Sequence, residues 1–86
     1  MTVEKTLIKR LKIRSWRRGM KEMDIILGKF IDQSIESLNE NEIAAYDNLL
    51  NNDDQTIFSW ILNKEKIPEE YIDITKKISD FAFLKS

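Results

Sequence analysis

The chain has 86 residues, of which 42% are hydrophobic and 34% charged, and its formal net charge is −1. This length is typical of one small domain with a modest core, and the composition is typical of a folded, soluble protein. The chain lacks cysteine and histidine, which excludes disulfides, thiolate nucleophiles, Ser-His triads and nearly every zinc or haem site. No apolar run approaches the roughly 20 residues that a membrane-spanning helix needs. We therefore expect no metal site and no membrane-spanning segment, and we do not expect a membrane as the main partner.

The first predicted element is a short basic amphipathic helix from residue 3 to about 13, with Thr2 as a possible N-cap. Its apolar residues recur at helical spacing: Val3, Leu7, Ile8 and Leu11. Residues 1–21 contain eight Lys/Arg and one Glu, a net charge of +7, and the remainder contains six Lys/Arg and fourteen Asp/Glu, a net charge of −8. Such a basic segment could contact nucleic acid, a membrane surface, a targeting receptor or an acidic partner, or pack on its own acidic body.

The second predicted helix runs from about 18 to 36, because six apolar residues fall on one face at 100° per residue. They are Met20, Met23, Ile26, Leu27, Phe30 and Ile31. The opposite side carries a stripe that the core cannot bury, formed by Arg18, Glu22, Ile25 and Lys29. This pattern predicts an exposed isoleucine between charged residues.

The remaining sequence predicts three shorter helices. Asn39 and Glu42 have the spacing of a capping box at the start of the third helix, and Leu38 and Ile43 have that of a hydrophobic staple. This helix continues to about residue 50, and residues 51–54 then break the pattern and supply an N-cap for a fourth helix. Pro68 is expected near the first position of the fifth helix. The buried stripe of that helix is Tyr71, Ile74, Ile78, Phe81 and Ala82. The prediction is an all-α, compact five-helix bundle that forms a single small domain over residues 1–86.

Gly19 lies inside the predicted second helix, where glycine costs roughly 0.5–1 kcal/mol relative to alanine. Close approach of another backbone, from the first helix or from a partner, would explain it. A turn between the first two helices would explain it nearly as well. An exposed pair of Arg18 and Glu22 would contribute at most about 0.3–0.5 kcal/mol. We interpret Trp16 as a core residue or a wedge between helices.

Two segments carry a family resemblance. Arg18-Gly19-Met20-Lys21-Glu22, followed by Asp24, resembles the RGxxE motif of the SdhE family, the small succinate dehydrogenase assembly factors also called flavinators. Residues 49–60, LLNNDDQTIFSW, are similar to the family's LLxxDDxxLFxW pattern, with Ile57 at the place usually taken by leucine. Together with Arg14-Ser15-Trp16 and Leu27-Gly28-Lys29-Phe30, the resemblance covers roughly residues 7 to 62.

The resemblance implies a helical protein that binds the flavoprotein subunit of succinate dehydrogenase or of fumarate reductase. It implies that the protein promotes covalent attachment of FAD to a histidine of that subunit. The FAD is carried by the partner, and we expect no tightly bound cofactor in this chain. Because the chain offers no obvious base or nucleophile, we expect it not to be an enzyme. It would hold the partner in a reactive geometry, which is a proximity effect.

The resemblance also implies the partner-binding residues. Arg18, Gly19 and Glu22 would contact the flavoprotein near its flavin, with Gly19 permitting close approach. Arg14, Asp24, Ile25 and Lys29 are expected as neighbours on the same surface. Asp53 and Asp54 match the family pattern as further candidates, but capping of the fourth helix is our preferred explanation for both.

Two alternatives belong to other functional classes. One is a regulatory adaptor or antitoxin-like binding protein, and the other is a nucleic-acid binder that uses the segment from Lys5 to Lys21. The overall acidity counts against nucleic acid as a partner. We expect a monomer, although the stripe containing Ile25 could pair with a second copy. The lack of a separable leader predicts a bacterial cytoplasmic location, although a matrix protein whose leader has been removed would have the same features.

Overall fold

Five α-helices and two short 3-10 helices make up the computed structural model, which describes residues 5–83. The α-helices are α1 (Lys5–Trp16), α2 (Lys21–Ser34), α3 (Glu40–Leu49), α4 (Asp54–Ile61) and α5 (Ile72–Phe83). The 3-10 helices are Ile35–Ser37 and Glu69–Tyr71. No strand occurs in this part of the chain, and the predicted all-α, five-helix fold is confirmed. The proposed N-cap Thr2 lies outside the described residues.

The α1–α2 junction differs from the prediction. Helix α1 continues to Trp16, and α2 begins at Lys21 rather than at about 18. Gly19 has a φ of +96°, and Met20 is extended at φ −104° and ψ 119°. Neither conformation can continue an α-helix, so the chain turns here and α2 starts afresh. The α1 and α2 helices pack on each other, with Trp16 against Gly28 and Lys12 paired with Asp32, and so form an antiparallel hairpin.

The core lies between the α1–α2 hairpin and the other three helices. Its α2 layer is formed by Met23, Leu27, Phe30 and Ile31, each at most 2% exposed. Met20 and Ile26 are partly buried against this core, so the predicted apolar face of α2 is confirmed. The Phe30 ring lies 5.6 Å from the Tyr46 ring and 5.7 Å from the Phe81 ring, between centroids. Phe30 therefore links α2 to both α3 and α5.

The capping signals in the sequence predicted the start of α3 correctly and the start of α5 less closely. The Glu42 N–H donates to Asn39 Oδ1 at 2.8 Å and the Asn39 N–H to Glu42 Oε1 at 2.9 Å, which confirms the capping box. Leu38 and Ile43 are both buried beside it. Pro68 caps the 3-10 helix that precedes α5, where its carbonyl accepts from the Tyr71 N–H. It is therefore not in the first turn of α5 itself.

A buried hydroxyl pair connects α1 to α3. Ser15 Oγ lies 2.6 Å from Tyr46 Oη and 2.7 Å from the carbonyl of Leu11. Ser15 donates to Leu11, and Tyr46 Oη also donates to the carbonyl of Leu27 at 3.3 Å, so the hydroxyl pair contacts α2 as well. Tyr46 is fully buried, and this burial raises the pKa of its phenol well above its usual value. The folded chain therefore holds the phenol in its neutral form.

This pKa shift predicts a stability that depends on pH above about 10. The unfolded chain loses the Tyr46 proton near pH 10, whereas the folded chain retains it, so the free energy of unfolding should fall as the pH rises further. Tyr46→Phe should cost about 1 kcal/mol near neutral pH and should make the fall between about pH 8 and pH 10.5 smaller. Urea denaturation at the two pH values measures both effects.

The matched control is Tyr71→Phe, because this second tyrosine is only partly buried and its hydroxyl reaches a surface carbonyl, that of Asn48. An unchanged pH slope in Tyr46→Phe would contradict the assignment.

Candidate functional site

The turn between α1 and α2 explains Gly19. Its φ of +96° lies in the region that favours glycine. A Cβ added there would meet nothing within 4 Å. Of the two explanations for this glycine, the turn conformation is confirmed, and close approach by the first helix is wrong. Approach by a partner stays a prediction.

The close approach occurs at Gly28 instead. A Cβ added to Gly28 would overlap the indole ring of Trp16. The Trp16 Nε1–H donates to Asp32 Oδ2 at 3.1 Å, which fixes the ring across the two helices. Trp16 is 39% exposed and is thus the predicted wedge between helices rather than a core residue. Gly28 was not among our candidate residues, although the segment Leu27-Gly28-Lys29-Phe30 carries part of the family resemblance.

Arg18 is partly buried, and its side chain bonds within the chain. Its Nε donates to Asp54 Oδ1 at 2.7 Å, its Nη1 to the Leu50 carbonyl at 2.8 Å and its Nη2 to the Asn52 carbonyl at 2.7 Å. The side chain is only 10% exposed. The predicted exposure of Arg18 and its pairing with Glu22 are therefore wrong. The reason is the later start of α2, which removes Arg18 from the helical stripe.

Two carboxylates complete the same cluster. Asp24 Oδ1 accepts from the Arg18 backbone N–H at 2.6 Å, and Asp54 Oδ2 accepts from the Met20 N–H at 3.2 Å. We call Arg18, Asp24 and Asp54 the turn cluster. It joins the α1–α2 turn to the α3–α4 turn, which are more than 30 residues apart in sequence. The motif arginine thus meets the second motif segment directly.

The predicted N-cap position before α4 is confirmed at Asp53, but neither aspartate side chain caps the helix. Asp53 occupies the N-cap position of α4, and its carbonyl accepts from the Ile57 N–H, but its side chain makes no capping hydrogen bond. Asp54 is the first residue of α4, and its carboxylate holds Arg18 and the Met20 N–H. Asp53 is exposed and Asp54 largely buried, so the two residues have separate roles.

Arg14 is also used within the chain. Its Nη1 donates to Asp47 Oδ1 at 2.6 Å, and its Nη2 donates to Asn51 Oδ1 at 2.7 Å. Asp47 accepts from Arg10 as well, at 2.9 Å. These contacts attach α1 to α3 and to the turn that follows it. Asp47 was missed at the level of sequence, because it shares no motif with its two arginine partners.

The other candidates lie on the surface. Glu22, Ile25 and Lys29 are exposed on α2, as the stripe predicted, and Ile25 is 41% exposed. None of the three takes part in an ion pair within residues 5–83. Gly19 and Asp53 are exposed too. The nine candidates therefore divide into five exposed residues and four that bond internally, namely Arg14, Arg18, Asp24 and Asp54.

Residues 5–83 hold no group of three acidic side chains that could bind a metal ion. None of the helices in this range has the length and apolar character needed to cross a membrane.

Comparison with known proteins identifies the family. The profile of a family described as "Flavinator of succinate dehydrogenase" matches residues 9–82. The chain belongs to this family. Its match covers both segments that the turn cluster joins. No solved structure matches the chain.

Named relatives of this flavinator-family chain come from bacteria and eukaryotes. It is 40% identical over 62 residues to "FAD assembly factor SdhE" of Legionella pneumophila (strain Lens), covering 72% of the chain and 78% of the relative. It is 44% identical over 65 residues to "Succinate dehydrogenase assembly factor 2, mitochondrial" of Dictyostelium discoideum, covering 76% of the chain and 46% of the relative. The protein of the same name from Caenorhabditis elegans is 36% identical over 77 residues, covering 85% of the chain and 65% of that relative.

The bonds of Arg18 predict that arginine cannot be replaced by lysine at this position. A lysine could still reach Asp54, but a single ammonium cannot serve one carboxylate and two carbonyls that the guanidinium reaches with three separate nitrogens. We expect Arg18→Lys to lower the free energy of unfolding by about 1–2 kcal/mol, and Arg18→Ala by about 2–3 kcal/mol. Urea denaturation followed by circular dichroism measures both losses.

Arg17→Lys is the matched control, because the adjacent Arg17 is exposed and forms no ion pair in the described chain. It should leave stability within about 0.5 kcal/mol of the wild type. Equal stability of Arg18→Lys and Arg17→Lys would contradict the structural role of the cluster.

Proposed function

We propose that this chain is an assembly factor that binds the flavoprotein subunit of succinate dehydrogenase and promotes covalent attachment of FAD to it. The observation that carries the proposal is the family match over residues 9–82, together with relatives that bear the name of an FAD assembly factor. The chain itself is not an enzyme in this proposal, and it acts on FAD held by the partner. Fumarate reductase is the second flavoprotein to be tested.

The chemistry of the chain supports a positioning role. It has no histidine or cysteine to carry flavin or to act as a nucleophile. What it offers is a preformed surface beside the α1–α2 turn, which would hold the partner's reacting groups in place and lower the entropic cost of their encounter. In this proposal the partner supplies the histidine and the flavin, and this chain holds them in the orientation that the reaction needs.

The candidate residues then take two kinds of role in our proposal. Gly19, Glu22, Ile25, Lys29 and Asp53 are exposed and would contact the flavoprotein directly. The turn cluster and Arg14 would act by holding the backbone that presents those residues. Within the motif, Glu22 is thus the charged group that reaches the partner near its flavin.

We further propose that residues 1–86 form one domain of this family, that the protein is a monomer and that it works in the bacterial cytoplasm. The Legionella relative supports a bacterial setting. Purification of the protein with its associated partners, identified by mass spectrometry, tests the whole proposal. A toxin or nucleic acid recovered in place of a flavoprotein would favour one of the alternatives.

Glu22 gives the direct test of the motif. Glu22→Ala should slow covalent flavin attachment to the purified flavoprotein subunit by about tenfold or more, because an exposed charge that meets a partner donor is lost. Flavin fluorescence of the denatured subunit on a gel measures the covalent product. Glu36→Ala removes another exposed acid, in the 3-10 helix that follows α2, and serves as the control. If the two variants act alike, Glu22 is not at the interface.

Substitutions at Gly19 test whether this glycine serves only the turn or also allows a partner backbone to approach closely. Asparagine tolerates a positive φ better than alanine but is larger. If only the turn matters, Gly19→Asn should retain more stability and more flavin attachment than Gly19→Ala. If a partner backbone approaches Gly19 closely, the order of activities should reverse while the order of stabilities does not. Thermal unfolding and the flavin assay, run on the same two variants, measure both orders.

A further inference from the structure

The outer side of the α1–α2 hairpin carries exposed apolar residues. Five large hydrophobic residues among residues 5–83 are exposed, and three of them lie here. Ile13 is 49% exposed, Trp16 39% and Ile25 41%. We call these three residues, together with the cations Lys9, Arg17, Lys21 and Lys29, the hairpin face. Only Ile25 and Lys29 of this set were candidates from the sequence.

The contacts between the two helices make the apolar part continuous. Trp16 lies against Gly28, and Lys12, four residues earlier, pairs with Asp32, four residues later, so the helices are antiparallel with residue 16 opposite residue 28. Ile13 is three residues before Trp16, and Ile25 is three residues before Gly28. At 1.5 Å per residue, each isoleucine lies about 4.5 Å along the hairpin from Trp16, one on either side. The three side chains therefore form one line across the hairpin.

Cations flank this line at helical spacing. Lys9 and Arg17 are each four residues from Ile13, and Lys21 and Lys29 are each four residues from Ile25. The Arg17 N–H donates to the Ile13 carbonyl at 3.1 Å, so the helical spacing holds to the end of α1. Residues four apart are neighbours on a helix surface. Each isoleucine thus has a cation on both sides.

These cations lack partners in the described part of the chain. All four are exposed, and none forms an ion pair there. Asp32 on the same side is already engaged by Lys12, at 4.0 Å, and by Trp16. Glu22, beside Lys21 on α2, is exposed and forms no ion pair in the described residues. The hairpin face taken together with Glu22 has four cations and one acid, a net charge of +3.

We infer that the hairpin face is a docking surface for an acidic protein surface with an apolar centre, located on the flavoprotein subunit. This inference rests on the proposed function and names the chemistry of the partner's side. An apolar centre that includes tryptophan, surrounded by charged residues, is the usual composition of a protein–protein interface. The hairpin face is also continuous with Glu22, so the motif and the new residues contact one partner together.

Charge and shape favour a protein over a membrane or a nucleic acid. Against an anionic membrane, the Glu22 carboxylate would be repelled, whereas a protein can offer it a matched donor. The acidic remainder of the chain, at −8 outside residues 1–21, would add to that repulsion. A single-stranded nucleic acid needs a series of aromatic side chains for its bases, and the hairpin face has one.

The main experiment reverses charge on the hairpin face. Arg17→Glu combined with Lys29→Glu should weaken binding to the flavoprotein subunit by about 100-fold at low salt. The dependence of affinity on salt between about 50 and 200 mM should also become smaller. Isothermal titration calorimetry measures both quantities, and circular dichroism checks the fold. The matched control is Lys64→Glu combined with Lys66→Glu, which changes net charge equally at two exposed residues outside the hairpin. It should bind within about twofold of wild type.

A second variant tests the apolar line. Ile13→Gln combined with Ile25→Gln replaces exposed side chains with good helix formers, so the fold should survive. We expect affinity to fall about tenfold, with the salt dependence of the wild type retained.

The outcomes separate the two proposals. If wild type binds the flavoprotein and the charge-reversed variant binds as well, the hairpin face is not the docking surface, and the proposed function stands. If wild type does not bind the flavoprotein, both proposals fall. The same proteins are tested by sedimentation with phosphatidylcholine vesicles containing phosphatidylserine. Vesicle binding that is lost on charge reversal, with flavoprotein binding intact, would overturn the inference in favour of a membrane.

Discussion

The guanidinium of Arg18 is the contact on which the candidate site depends. The end of α3 and the turn after it leave backbone carbonyls without helical partners, as helix ends generally do. Arg18 bonds to two of these carbonyls, at Leu50 and Asn52, and its charge is neutralised by Asp54. Asp54 and Asp24 in turn accept backbone N–H groups of the α1–α2 turn. One cluster thus satisfies four backbone groups in two turns.

This arrangement changes the meaning of the motif. A charged motif in a binding protein suggests that each charged residue meets the partner. Here the arginine faces inward and the glutamate outward, although they are only four residues apart in sequence. Gly19 makes this possible, because its positive φ reverses the chain between them. Loss of Arg18 and loss of Glu22 would then both reduce binding, the first by deforming the surface and the second by removing a contact.

The parts of the fold that depend on nearby residues could be predicted from the sequence. The capping box of α3 joins residues three apart, and the buried face of α2 repeats along a single helix. The role of Arg18 could not be predicted, because it depends on the start of α2 and on partners 32 to 36 residues away. Moving the helix start by three residues removed Arg18 from the stripe altogether. Likewise, only packing reveals that Gly28, and not Gly19, is the site of close approach.

The rigidity of the α1–α2 hairpin bears on how tightly such a surface can bind. Association loses affinity when side chains and backbone must be ordered on contact. Here Trp16, the last residue of α1, is held against Gly28 and Asp32 of α2, and the turn cluster holds the turn between the two helices. Ile13 and Ile25 lie on helices that are already packed, so binding would need little further ordering of the backbone. Residues 1–21 carry a net charge of +7 and the remainder −8, so the charge of the molecule is unevenly distributed. An acidic partner would therefore meet the hairpin side first, with its apolar residues already in place.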